Sequence, residues 1–215
     1  KQGEDRILLN IGGIANFTYL PGNMNITEIL CTDTGPGNTM MDAFIQQHFK
    51  GKHFDKDSVI ALKGNINNEL LFALKDNAFF KQALPKTTGP ELFNLDYLQQ
   101  AKEKSLTTML SVEDTMATLN KFSADTIIDA LLKTISKDVS IKIYASGGGM
   151  HNPLLMQHIK AALPNCEFLT TADLDIEPDA KEAVLFAVLA NECICGDGSY
   201  LQKGNLSIPA ISMGK

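Results

Sequence analysis

Residues 6–38 read RILLNIGGIANFTYLPGNMNITEILCTDTGPGN, and this stretch decides the fold. Arg6 to Ile11 is rich in Ile and Leu and stops at Gly12-Gly13, the pattern of a strand closed by a tight turn. IANFTYL (14–20) alternates with period two, Pro21-Gly22-Asn23 turns the chain, and ITEILCT (26–32) reads as a third strand. Strands joined this closely pair as an antiparallel meander. Asp33 then falls at the carboxyl end of the third strand, where Gly35-Pro36-Gly37 re-aims the chain. Asn38 can cap a helix over TMMDAFIQQHF (39–49), in which Met41, Phe44, Ile45 and Phe49 recur at helical spacing.

Downstream, from about Asp55 to Lys137, the pattern turns helical. NNELLFALKDNAFF (67–80), LFNLDYLQQAKEK (92–104) and DTMATLNKFSADTIIDALLKTI (114–135) predict helices, with Ser111 and Asp114 spaced as a cap. Between them lies the loop PKTTGPELFN (85–94). IKIYASGGG (141–149) returns to a buried strand closed by three glycines. NPLLMQHIKAAL (152–163) is a helix, CEFLTT (166–171) a short strand, and DAKEAVLFAVLANECI (179–194) a helix apolar on nearly every side, the kind usually sandwiched in a core.

The order is β-β-β-α, a helical insertion over 55–137, then β-α-β-α. Short β-α-β units need parallel neighbours. The expected fold is therefore α/β with a ribonuclease H-like mixed sheet, the architecture of one lobe of an actin-like ATPase.

Composition narrows the function. The 215 residues, 44% of them apolar, suffice for one large domain with an insertion. A net charge of −6 argues against a nucleic-acid partner, because no basic stripe is available for phosphates. The apolar runs are too short for a membrane span, and Cys31, Cys166, Cys193 and Cys195 form no CxxC pair, so a reduced, cytoplasmic setting is expected. The chain does not begin with Met, and the expectation is a fragment whose missing part lies upstream.

Three stretches bear chemistry. Gly12-Gly13 is either a plain hairpin turn or a place where backbone closely approaches a phosphate. Gly147-Gly148-Gly149 joins a strand to a helix, where α/β proteins bind nucleotides, although it matches neither a G-x-G-x-x-G fingerprint nor a Walker loop. Asp33, set beside both turns, reads as a general base rather than a turn cap, with the N-terminus of the next helix facing the same crevice. Asp42 braces the loop or holds a metal-bound water, Lys86 and Thr88 reach a substrate or form a surface turn, and Glu182 is an unusual carboxylate on an apolar helix.

NIGGIANFT (10–18), TDTGPGNTMMD (32–42), PKTTGPELFN, ASGGGMHN (145–152) and DAKEAVLFAVLA (179–190), in this order, resemble the second, C-terminal lobe of the anhydro-N-acetylmuramic acid kinase family, within the sugar-kinase, heat-shock-70 and actin superfamily. The resemblance spans essentially the whole chain. It implies an enzyme that uses ATP and Mg²⁺ to convert 1,6-anhydro-N-acetylmuramic acid to N-acetylmuramic acid 6-phosphate in cell-wall recycling. It implies Asp33 as the base that activates water, Gly12 and Gly13 as a phosphate turn, Gly147, Gly148 and Gly149 as the adenosine turn, and Glu182 at the sugar. Pro90 stands where many members carry arginine, and the family's first phosphate loop, Gly-Thr-Ser…Asp-Gly, is absent. The expectation is one lobe, inactive alone, whose partners are the N-terminal lobe of the same enzyme, ATP, an amino sugar and a second copy in a homodimer. The competing readings are an acetate-kinase-like or carbamoyltransferase-like enzyme, and a non-catalytic nucleotide- or sugar-binding module.

Overall fold

Five strands form one mixed sheet in the order β3-β2-β1-β4-β5. They are β1 (Arg6–Ile11), β2 (Ile14–Leu20), β3 (Leu30–Pro36), β4 (Lys142–Ser146) and β5 (Glu167–Thr170) in a computed structural model that describes residues 2–135, 140–177 and 180–195. β1, β2 and β3 pair antiparallel, whereas β4 runs parallel to β1 and β5 parallel to β4. This is the ribonuclease H-like arrangement expected from the sequence.

The third strand differs from its expected limits. Ile26–Glu28 forms a 3-10 turn, because the Asn25 side chain accepts from the Thr27 N–H and its amide donates to Glu28. Strand pairing starts at Leu30 and continues through Gly35 and Pro36, with a bulge at Ala15/Asn16 on the neighbouring strand. β3 lies at the edge of the sheet, where proline's missing N–H costs no ladder bond. Asp33 is consequently inside the strand, opposite Asn16, and not at its end.

Helix α1 (Thr39–His48) follows β3, and then come α2 (Asn68–Lys75), α3 (Ala78–Lys81), α4 (Leu95–Lys104) and α5 (Val112–Thr134). The pattern over 67–80 splits into α2 and α3 because Asn77 caps a new helix, accepting from the Phe79 N–H. Ser111 caps α5 as expected. The long α5 joins two cores. Its C-terminal half, with Ile127 and Leu131, packs with Leu155 and Ile159 of α6 (Pro153–Ala162) against Ile7, Leu9, Ile11, Phe17 and Ile143 of the sheet. Its N-terminal half brings Met116, Leu119 and Phe122 to Phe44 and Ile45 of α1, Leu70 and Leu74 of α2, Phe93, and Leu98 of α4. Removing a large buried side chain of this kind costs about 2–5 kcal/mol. The helix is a shared wall that holds α1 and the sheet in register.

Residues 1–170 and 171–215 form two compact units. The second contains α7 (Lys181–Cys195). Among the described residues no helix is long and apolar enough to cross a membrane.

Candidate active site

Three short backbone segments meet above β1. The Gly12-Gly13 turn turns its carbonyls to the start of α1: Gly37 N–H donates to Gly13 at 2.8 Å, Asn38 N–H to Gly12 at 2.9 Å and Thr39 N–H to Gly13 at 3.1 Å. The Gly37 carbonyl accepts from the Ser123 hydroxyl of α5 at 2.8 Å, so the junction is clamped from both sides. A Cβ on Gly37 would lie 2.3 Å from the Gly12 carbonyl oxygen. The glycine turn after β4 closes from the other direction. A Cβ on Gly147, whose φ is +84°, would lie 2.7 Å from the Ile11 carbonyl, and one on Gly149 2.2 Å from an Ile11 methyl and 3.1 Å from Asn38 Oδ1. Only glycine permits this approach, which brings Gly12, Gly13, Gly147, Gly148 and Gly149 together.

The sequence reading of Asn38 is corrected here. Asn38 stands at the N-cap position of α1 but makes no side-chain cap bond; its amide donates to the Ile11 carbonyl at 3.3 Å and ties the helix start to β1. The N–H groups of Asn38 and Thr39 are likewise used by the Gly12-Gly13 carbonyls, so the first donors of α1 hold the turn and are not turned to a ligand. The N–H groups of Gly12 and Gly13 themselves donate to no other group among the described residues, and they are available as backbone donors to an anion.

Just below this junction a polar row crosses four strands, because Ser146 pairs with Asn10, Asn10 with Asn16, and Asn16 with Asp33. Asp33 is tied to the loop after α3. Its N–H donates to the Lys86 carbonyl at 2.9 Å, and its Oδ2 accepts from the Thr88 N–H at 2.8 Å and the Thr87 hydroxyl at 2.9 Å. Both side-chain bonds land on Oδ2, and Oδ1 has no partner among the described residues. The carboxylate is thus oriented, with one oxygen available to accept a proton.

The other expected site residues separate. Lys86 turns its ammonium to the Phe79 carbonyl at 3.1 Å and over the Phe79 ring at 4.0 Å, where burial holds its pKa below the usual lysine value; the charge serves the aromatic cluster. The Thr88 hydroxyl is buried beside Asp33 without a partner. Glu182 lies in α7, with its side chain outside the described residues.

Asp42 overturns the bracing expectation. Among the described residues its carboxylate meets no hydrogen-bond or ion-pair partner, and burial alone pushes its pKa up to about 6. It lines a cavity of about 430 Å³ together with Asn38, Met41, Phe54, Gly148 and His151. The loop around Asp57 lines the cavity too, as does Asn152, the two linked through the Ser58 hydroxyl, which donates to Asn152 Oδ1 at 2.7 Å. His151 and Asn152 stand two and three residues past the glycine turn and could have been noticed there, whereas nothing local marks Phe54. Among the described residues there is no group of three His, Cys, Asp or Glu side chains placed to hold a metal.

The family described as anhydro-N-acetylmuramic acid kinase matches residues 1–205. A protein of that name from Pseudoalteromonas atlantica is 51% identical over 213 residues, covering 99% of this chain and 53% of the relative. The corresponding protein of Pseudoalteromonas translucida is 49% identical with the same coverage, and that of Caldanaerobacter subterraneus is 37% identical over 99% of this chain and 54% of the relative. The chain therefore spans about half the length of the curated relatives it matches. Among solved structures, the activator of the 2-hydroxyisocaproyl-CoA dehydratase from Clostridium difficile with bound ADPNP aligns with a TM-score of 0.40 and 15% identity, covering 78% of this chain and 54% of that one.

Proposed function

This chain belongs to the anhydro-N-acetylmuramic acid kinase family, and from that premise we propose that it is the C-terminal lobe of a two-lobed cytoplasmic kinase, with a helical insertion over 55–137 and an N-terminal lobe that completes the cleft. The substrates are MgATP and 1,6-anhydro-N-acetylmuramic acid, and the product is N-acetylmuramic acid 6-phosphate. The observation that carries this reading is the convergence of the Gly12-Gly13 and Gly147–Gly149 turns, with an oriented Asp33 on the adjoining strand.

In the reaction, water adds to the anomeric carbon and the bond from that carbon to O6 breaks. O6 takes the γ-phosphoryl group and ADP leaves. Asp33 Oδ1 accepts the proton of the attacking water, while Thr87 and Thr88 hold Oδ2 so that the free oxygen keeps one orientation. The free N–H groups of the Gly12-Gly13 turn receive phosphate oxygens as charge builds on them, and the glycine turn after β4 supports the adenosine end. Mg²⁺ bound with the nucleotide would neutralise charge on the phosphates and would need few protein ligands.

The test is to incubate the two-lobed protein with the anhydro sugar and MgATP, and to identify products by mass spectrometry. ADP and a sugar 6-phosphate in equal amounts support the reading. ATP hydrolysis without sugar phosphate, or no consumption of either substrate, defeats it.

A further inference from the structure

The cavity beside the glycine junction contains a carboxylate that the protein leaves unanswered. Asp42 is one helical turn beyond Asn38 on α1, roughly 6 Å along the axis. Asp42 is half-buried, and a carboxylate partly withdrawn from water without a donor carries a cost. Neighbouring Asp55 shows what the chain does when a carboxylate is structural: it takes the Ile60 and Ala61 N–H groups, each at 2.9 Å. Asp42 has no such donor among the described residues, and burial holds its pKa near 6, so it is still largely ionised at neutral pH and available as an acceptor.

Part of the lining is fixed. Asn152 Oδ1 accepts from the Ser58 hydroxyl at 2.7 Å, the Leu155 N–H at 2.9 Å and the Asn120 amide at 3.0 Å, which locks the amide and the start of α6. At the rim Phe54 is 57% exposed, a flat apolar face, and His151 lines the same cavity. The cavity lining thus combines glycine backbone at Gly148, an acceptor at Asp42 and aromatic surface at Phe54. The nucleoside part of a nucleotide presents a sugar with hydroxyl donors and a flat aromatic base.

Resting on the kinase reading above, we propose that Asp42 accepts hydrogen bonds from the ribose hydroxyls of the nucleoside triphosphate, and so selects a ribonucleotide over a deoxyribonucleotide. A cation is a poorer occupant, because the described residues supply no three-ligand group there. The exocyclic amine of the base is the other donor a nucleotide offers, and a nucleotide that lacks it separates the two.

The experiment measures dissociation constants by calorimetry for ATP, 2′-deoxy-ATP, 3′-deoxy-ATP and ITP, using the two-lobed protein and its Asp42→Ala variant, with Asp42→Asn as the isosteric control. A hydrogen bond to a charged group predicts that wild type binds at least one deoxynucleotide roughly tenfold more weakly than ATP, and ITP about as well as ATP. Asp42→Ala should weaken ATP binding and bring ATP and the deoxynucleotides to within about twofold; Asp42→Asn should fall between. Equal binding of ATP and both deoxynucleotides by wild type, or discrimination that survives in Asp42→Ala, overturns the assignment. Loss against ITP alone overturns it in favour of the base amine. Failure of wild type to bind any nucleotide removes the kinase reading itself, an outcome separate from the others.

Discussion

Asp33 and Asp42 are nine residues apart in sequence and occupy opposite kinds of surroundings. At the edge of the sheet, Asp33 has one oxygen held by Thr87 and Thr88 and the other without a partner among the described residues. In the cavity beside α1, Asp42 has both oxygens without partners among those residues and a pKa raised by burial. The first arrangement suits proton transfer, since the reacting oxygen is aimed by bonds to its twin. The second suits reception, since its oxygens stay open to donors from solvent or a ligand. Hydrogen bonds inside the protein thus separate a positioned acid-base group from a binding group even when the residue type is the same.

The largest effect expected from this contrast is on rate. Asp33→Asn keeps an acceptor for the Thr88 N–H but cannot take a proton, so turnover in the two-lobed protein should fall by about 10²–10⁴-fold while the melting temperature barely moves. Near-normal turnover would erase the distinction between the two aspartates. Next is the junction on which both regions hang. Gly37→Ala drives a Cβ into the Gly12 carbonyl, 2.3 Å away, and should cost about 1–3 kcal/mol, seen as a melting temperature lower by roughly 2–4 °C per kcal/mol. An unchanged melting curve would mean the junction is looser than the structure has it.

Smaller effects sharpen the picture. Thr88→Val removes a buried hydroxyl that has no partner, and the isosteric methyl should stabilise the protein by about 1 kcal/mol in chemical denaturation while weakening sugar binding. Stability gained with no change in KM for the sugar would restrict Thr88 to structure. For Asp42 the sign follows from its folded pKa of about 6, raised above the ordinary 3.8. The folded state binds the proton more tightly, so the ionised side chain destabilises the fold above pH 6, and this cost vanishes as pH falls below about 4. Asp42→Asn should therefore be more stable than wild type at pH 8 and equal to it near pH 4. After discounting for solvent screening of a half-buried group, the gap is below about 1 kcal/mol. A gap that grows toward low pH would contradict the assignment.

Much of this was legible from local pattern. The meander, the two glycine turns and the helix after TDTGPGN follow from periodicity and turn chemistry over short windows. What escaped is long-range. The run of β3 through Gly35 and Pro36 depends on a bulge in β2 and on an edge position in the sheet. The use of Asn38 as a tie to Ile11 depends on a contact across 27 residues, and the hold on Asp33 on one across 55. The cavity wall joins Ser58 to Asn152 over 94 residues, so no local spacing announces it. Lys86 was open between a substrate contact and a surface turn, and only the fold shows its ammonium over the rings of Phe79 and Phe80. Reading Asp42 as a brace failed for the same reason: the donors that would brace it do not come near.

The most direct test of the central claim is a crystal structure of the two-lobed protein with a non-hydrolysable ATP analogue and the anhydro sugar. The account predicts phosphates against the Gly12-Gly13 turn, adenosine over Gly147–Gly149, ribose hydroxyls on Asp42, and a water bridging Asp33 Oδ1 to the anomeric carbon. A nucleotide seated away from the glycine junction, or an Asp33 with both oxygens bound to protein while the anomeric carbon lies out of its reach, would contradict it.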